Sequence, residues 1–353
     1  MQFRRLAASL TALLFVAGLT SVAEAQEKKK ERKLTKQEQQ DAQALLKLAD
    51  AGSGPSELPV VWEQNHFVKA ADGKTFVPFT LKVDTKTGVA LYVRAVQKAV
   101  VTATAVTTID KSNPNRTEVK TTVTTDSSQP KKSTGKIEFP WDDIQFIEVV
   151  TDGRFSRALS VAPGEYDLYV GVKEKSTGKK GEVTRTTLLK RDLSVPDFTK
   201  PELKISSVIL ADNVEAAPPL DMDQQRANPY SFAGMKVAPS LEGKFKKTGE
   251  LNLVFWIYGV SPTSMQKPDV QVEYSFHRKT AEGEKYFNKT APQMLNGQTF
   301  PPEFSLAVGH LVTGSLSIPL ASFEAGDYRL EIKISDKVSS KSITENVSFN
   351  VGA

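Results

Sequence analysis

The chain has no cysteine and only three histidines in 353 residues. The first absence excludes disulfide frameworks, thiolate zinc sites, iron–sulfur clusters and cysteine nucleophiles. The second leaves little material for histidine-based metal or acid–base chemistry. His66, His277 and His310 share no HxH or HExxH spacing. No GxSxG, Walker or GxGxxG sequence occurs in a strand-to-helix context, and the glycines fall in strand turns, where no helix start cradles a phosphate. After the first 25 residues no apolar run approaches the ~20 residues that a membrane-spanning helix needs.

What is present begins with an address. Arg4 and Arg5 precede the apolar run Leu6 to Leu19, and Ala23-Glu24-Ala25 follows as a small-x-small cleavage pattern. Residues 1–25 are therefore expected to be a signal peptide. The mature chain is expected to start at Gln26 and to be exported, periplasmic or extracellular. With no cysteine after the run, bacterial lipoprotein attachment is excluded.

The net charge of +5 is confined to the first 36 residues, +1 in residues 1–25 and +4 in the tail that follows. Lys28, Lys29, Lys30, Arg32, Lys33 and Lys36 stand against Glu27 and Glu31, and from Gln37 onward basic and acidic residues balance at 38 each. The body is neutral, so a nucleic-acid partner is not expected, and the tail reads as solvated spacer. Thr35 with Glu38 forms a capping box, which predicts a short helix over Gln37 to Asp50 with Ala42, Leu45, Leu46 and Ala49 on one stripe. Residues 26–57 thus form the tail and helix.

From Leu58 onward the period is two. Val77, Phe79, Leu81 and Val83 alternate with other residues, as do Val270, Val272, Tyr274 and Phe276. Leu251 to Tyr258 is apolar on both faces, as in a central strand. The fold class is all-β. An internal repeat divides it: Ala162-Pro163-Gly164-Glu165-Tyr166 and Glu324-Ala325-Gly326-Asp327-Tyr328 each lead into an alternating strand, followed by one more strand ending at Val195 or Val351. This arrangement resembles the tyrosine corner and last two strands of immunoglobulin-like and fibronectin type III β-sandwiches. The resemblance implies two tandem sandwiches, with each tyrosine ring in a core and its hydroxyl on a backbone group at the corner.

The expected domains are residues 58–195 and 202–353, joined by linker 196–201 with Pro196 and Pro201. Residues 107–132 hold few large apolar residues and predict a flexible insertion or a long protruding hairpin. Val214 to Ser240, with Pro218-Pro219, Pro229 and Pro239, reads as a long irregular loop. The basic tail, the insertion and this loop are the expected contact points for a partner.

The segments Pro239 to Phe245, Phe255-Trp256-Ile257-Tyr258-Gly259, Tyr286 to Thr290 and Gly326 to Leu330 resemble uncharacterised secreted bacterial proteins. Some of those also carry von Willebrand-type or GWxTD-type domains. Phe76-Val77-Pro78-Phe79 and Arg157 to Val161 have a similar look. The resemblance implies a secreted sandwich protein and transfers no functional residue.

Candidate chemistry is sparse. His277 is expected on an exposed face, with His66 and His310 as ordinary surface or hydrogen-bonded residues. Asp142-Asp143 reads as a turn capped by Asp, because neighbours on a strand face opposite ways. Asp221 and Asp223 lack the other oxygen ligands of a calcium loop. Trp62, Trp141, Trp256, Tyr258 and Tyr286 form a sugar platform only if exposed together; Trp256 reads as core. No catalytic, metal or cofactor residue is assigned and no cofactor is expected. The leading expectation is an exported non-catalytic protein-interaction or scaffold protein of the cell envelope, its partner an unknown envelope protein or cell-wall polymer. The alternatives are a carbohydrate- or wall-binding module, and a hydrolase with an unrecognised carboxylate/His site.

Overall fold

The computed structural model describes residues 33–352 apart from 71, 99, 110–116, 127–137, 149–151, 178, 180, 219, 221 and 233; at 100–109, 117–126, 222, 223 and 226 it describes the backbone alone. The expected signal peptide and most of the basic tail lie outside these residues. Among the described residues the chain is mostly β-strand, and no helix is long and apolar enough to cross a membrane.

The helix starts where its capping box places it. In α1 (Lys36–Ala51) the Thr35 side chain accepts the Glu38 N–H, and Glu38 accepts the Thr35 N–H. Left-handed Gly52 ends the helix. Its buried stripe is shifted from the expected one. Leu45 and Ala49 are buried and Leu48 packs beside them, while Leu46 is exposed and Asp41 takes a buried place. The shift follows from the sheet beneath, which offers Lys173 to Asp41 at 2.7 Å.

The first half then gives β1 (Val60–Asn65), β2 (Val68–Lys69), β3 (Thr75–Val83), β4 (Val89–Gln97), β5 (Val100–Ile109), β6 (Thr117–Asp126), β7 (Trp141–Ile147), β8 (Arg154–Val161), β9 (Gly164–Glu174) and β10 (Thr186–Val195). β3 is flanked by β8 on one side and by β1 and β2 on the other, and a second sheet runs β10-β9-β4-β7. Val77, Phe79, Leu81 and Val83 face Leu91, Val93, Leu168, Val170 and Val172 across one core. β4 is buried on both faces, because its other face lies under α1. There Ala90 and Tyr92 meet Leu45 and Ala49. Gly171 permits this contact: a Cβ there would sit 3.1 Å from Leu45 Cδ2. Arg94, also on this face and buried, donates to Asp50 (2.6 Å) and Tyr92 (2.8 Å) and stacks on Phe139.

The second half gives β11 (Lys204–Ile205), β12 (Ile209–Ala216), α2 (Met222–Ala227), β13 (Ser231–Phe232), β14 (Met235–Pro239), β15 (Lys244–Lys246), β16 (Glu250–Tyr258), β17 (Val270–Thr280), β18 (Gly283–Lys289), β19 (Gln293–Leu295), β20 (Val312–Pro319), β21 (Gly326–Asp336) and β22 (Lys341–Gly352). One sheet centres on β16, between β20 and the β11/β12 edge, and the other runs β15-β22-β21-β17-β18. Their shared core holds Leu253, Phe255, Val272, Tyr274, Leu330 and Ile332.

The repeat is visible in the pairing. β9 lies between β10 and β4, as β21 lies between β22 and β17. Tyr166 donates to Ala162 O at 2.7 Å and Tyr328 to Glu324 O at 2.8 Å, each reaching back four residues with its ring fully buried. Gly164 and Gly326 share φ +145°, outside the usual range of a side-chain-bearing residue.

Two local expectations are corrected. Val214 to Ser240 is not an irregular loop: β12 continues to Ala216 and pairs β14, with α2 and β13 between them. Pro229 lies in the turn before β13 and Pro239 ends β14, and Asp212 to Ala216 of β12 are exposed on both faces, which hides the alternation. Asp142 and Asp143 lie within β7, not in a turn, and do face apart. Asp142 accepts from Tyr92, and Asp143 from Gln145 Nε2 at 2.7 Å. Residues 107–132, read as a flexible insertion or a protruding hairpin, lie in part outside the described residues. β5 and β6 pair over ten positions and, among the described residues, with no other strand.

Candidate functional site at the seam between the two halves

The two halves meet through side chains that each places outside its own core. β1 and β2 are one edge interrupted opposite Pro78, which brings no N–H to that edge and whose carbonyl accepts the His66 N–H at 2.9 Å. The interruption turns His66 and Phe67 toward the second half. There Ser207 donates its N–H to Phe67 O (2.9 Å) and accepts the Phe67 N–H at Oγ (2.8 Å). Lys69 N–H donates to the Tyr258 hydroxyl at 3.0 Å.

An apolar cluster lies behind these bonds. Val68 and Phe198 join Ile209, Ala211, Tyr230, Met235, Val237, Val254, Trp256 and Tyr258. The two-faced apolarity of Leu251 to Tyr258 now has its reason. Leu253, Phe255 and Ile257 fill the core of the second half, and Val254, Trp256 and Tyr258 fill the seam. The β12–β14 segment is part of the same seam. Phe232 meets Phe76 edge to face, and Tyr230 meets His66 in the same way. This segment, expected to meet a partner, embraces the chain's own first half.

Tyr230 enters between His66 and Thr80. Its hydroxyl is 3.0 Å from His66 Nδ1 and bonded to Thr80, whose Oγ1 is 2.8 Å from Ser156 Oγ. Burial lowers the His66 pKa to about 4 and raises that of Tyr230, so both are neutral at pH 7. Beside them opens a cleft of about 510 Å³, walled by His66, Phe67, Phe198, Ser206–Val208 and Glu345–Ser348.

The remaining candidates are scattered. His277 is half-buried, not exposed: its ring meets Tyr286 edge to face and its Nε2 is buried with no partner. Pairing with β18 covers it. His310 accepts the Ser305 N–H at Nδ1, bracing the turn behind the 3-10 segment Leu306–Val308. Asp221 lies outside the described residues and Asp223 is in α2. Among the described residues no three His, Asp or Glu side chains gather as a metal site. Of the five aromatics, Trp62 stacks on Phe79 beneath the Arg191 guanidinium, Trp141 packs on the first core, Trp256 and Tyr258 are in the seam, and Tyr286 is 60% exposed. They form no common platform. The sequence reading missed Tyr230, Ser207, Phe67 and Phe198; the aromatic pair Tyr230 and Phe232 in a proline-rich stretch is the one signal that marks them.

No family model matches the chain, and no curated protein matches it, so neither supports the von Willebrand-type or GWxTD-type resemblance. Among solved structures the chain is similar to bacterial alpha-2-macroglobulins, which are β-rich. Trypsin-activated alpha-2-macroglobulin from Escherichia coli is 9% identical, with a TM-score of 0.22 over 85% of this chain and 17% of that one. The Salmonella protein reacted with methylamine is 12% identical, with a TM-score of 0.21 over the same shares. The Escherichia coli protein activated by porcine elastase is 11% identical, with a TM-score of 0.23 over 85% and 24%. The chain thus spans a quarter or less of those chains, and at these scores the likeness transfers no site and no activity.

Proposed function

We propose that this is an exported, non-catalytic protein of the cell envelope, built of two immunoglobulin-like sandwiches and acting by binding other proteins. The N-terminal cleavage pattern supports export, periplasmic or extracellular. The paired tyrosine corners and repeated strand order support the sandwich class. The observation that carries the binding role is the β5–β6 hairpin, a ten-pair ribbon that leans on no other strand among the described residues. An isolated two-stranded ribbon is marginal in water, and contact with a partner surface stabilises it.

The hydrolase reading has one observation on its side: His66 and Glu345 wall the same cleft. A histidine held neutral down to about pH 4 is too weak a base for chemistry at pH 7, and its Nδ1 is engaged by Tyr230. Genetic complementation separates the readings. A chain carrying Glu345→Gln, which removes the one carboxylate lining the cleft and leaves His66 in place, is expected to complement fully. One with residues 100–126 replaced by a short Gly-Ser turn is expected to fold and fail. The opposite pattern, with folding verified by circular dichroism, overturns the binding reading.

A further inference from the structure

We propose that the free edge of β22 within the seam cleft is a docking site for one extended polypeptide strand of a partner protein. The proposal rests on the protein-binding reading above and names a site for it. β22 pairs with β21 without interruption from Lys341 to Val351, whereas on its other side only Asn350–Gly352 meet a strand, the short parallel β15. The Asn350 N–H points outward, to Gly243 O at 2.8 Å. Antiparallel pairing alternates residue by residue, so the N–H and C=O groups of Ser348 and Asn346 point outward as well. No strand among the described residues takes them.

These groups border the seam cleft, and Glu345, Asn346 and Ser348 are exposed and open to an incoming chain. Glu345–Ser348 form one wall of the cleft, and Phe67, Phe198 and Val208 contribute apolar surface to the others. His66 is 91% buried and its Nδ1 is taken by Tyr230, which leaves Nε2 as the ring's other polar atom. A row of outward N–H and C=O groups along ~13 Å of strand is satisfied along its length only by another extended backbone. His66 Nε2 then supplies one further polar contact to the incoming chain, and the phenylalanines receive an apolar side chain.

Two other edges show familiar forms of protection. β10 is covered where Leu188 N–H donates to Pro55 O and Glu57 N–H to Thr186 O. β18 carries exposed Glu284, Lys285 and Lys289, the charged protection of an ordinary edge. The β22 stretch has one charge, Glu345, and is short, bounded by β15 at Asn350–Gly352 and flanked by the other walls of the cleft. A partner strand is therefore favoured over sheet-to-sheet association.

The test pans a phage-displayed library of random twelve-residue peptides on the full mature chain and maps bound peptides by amide hydrogen exchange. Exchange at Asn346 and Ser348 is expected to slow at least tenfold. Asn346→Pro, which removes an outward N–H while leaving the bonds to β21, is expected to weaken binding at least tenfold. Asn346→Ala, which loses only the side chain and its bond from Arg329, is expected to bind as wild type. If Asn346→Pro does not fold, the exchange map on the wild-type chain decides alone. Peptides that protect the hairpin or β18 instead, or no selected peptide at all, overturn the β22 site. Neither result touches the broader binding reading, which the hairpin complementation tests. A concentration-dependent dimer that protects the same two amides assigns the edge to a second copy and overturns the partner assignment.

Discussion

Tyr230 and His66 stand 164 positions apart and meet at 3.0 Å between hydroxyl and Nδ1. One comes from a segment of the second half that reads as a loop, the other from an interrupted edge of the first. Both rings are buried, so the bond is formed where water does not compensate for its loss. Tyr230→Phe is expected to destabilise the protein by about 1–3 kcal/mol. A double-mutant cycle with His66→Phe is expected to show coupling of about 1 kcal/mol or more. Additive losses in urea unfolding would show that the pair is merely adjacent.

The same histidine gives the seam a pH dependence. Its folded pKa, about 4, lies below the ordinary value of 6.5, so the unfolded chain binds the proton more readily. Stability is unaffected above about pH 6.5 and falls as pH drops toward 4, by ~3 kcal/mol in total. Glu174 beside Arg185, and Asp336 with hydrogen bonds from Ser339, Ser261 and Val338, are held below the ordinary carboxylate range and so act at lower pH than His66. His66→Phe is expected to flatten the slope between pH 6.5 and 4.5 in thermal unfolding. An unchanged slope would place its origin elsewhere.

The two tyrosine corners are equivalent in geometry and are expected to be equivalent in energy. Tyr166→Phe leaves the Ala162 carbonyl unpaired and Tyr328→Phe the Glu324 carbonyl, each at a cost of about 1–3 kcal/mol. Chemical unfolding of both variants checks this, and losses near zero at both would remove the corner argument.

Helix α1 is held by the buried Asp41–Lys173 pair at one end and by Arg94 to Asp50 at the other. Lys173→Met leaves Asp41 buried without its partner, and a loss of about 3 kcal/mol or more is expected. Hydrogen exchange over Lys36–Ala51 is the readout, and the helix should open before the sheets. Unchanged protection would mean that apolar packing on Ala90 and Tyr92 holds it unaided.

Much of the fold was legible where one local signal has one structural consequence. The Thr35–Glu38 box starts α1 at Lys36, one residue before the expected Gln37, and the Gly-acid-Tyr turns mark both corners. Alternation placed Val77 to Val83 and Val270 to Phe276 correctly inside. What was not legible depends on contacts between halves. Trp256 and Tyr258 read as buried, but nothing in an apolar run distinguishes a core face from a seam face. Tyr230 sits among prolines and polar residues, and its burial is decided by His66 and Thr80, far away in sequence. The cleft is hidden for the same reason, since Glu345–Ser348 become a site only when the first half is placed beside them.

The central claim is that the exported chain works by holding another protein. Its most direct measurement is in vivo photo-crosslinking from positions on the hairpin and on the outer edge of β22, followed by mass spectrometry of envelope fractions. Discrete adducts to one or a few envelope proteins, lost when residues 100–126 are replaced, are the predicted result. Adducts confined to cell-wall polymer, or none from either surface in cells where the chain is functional, would contradict the account.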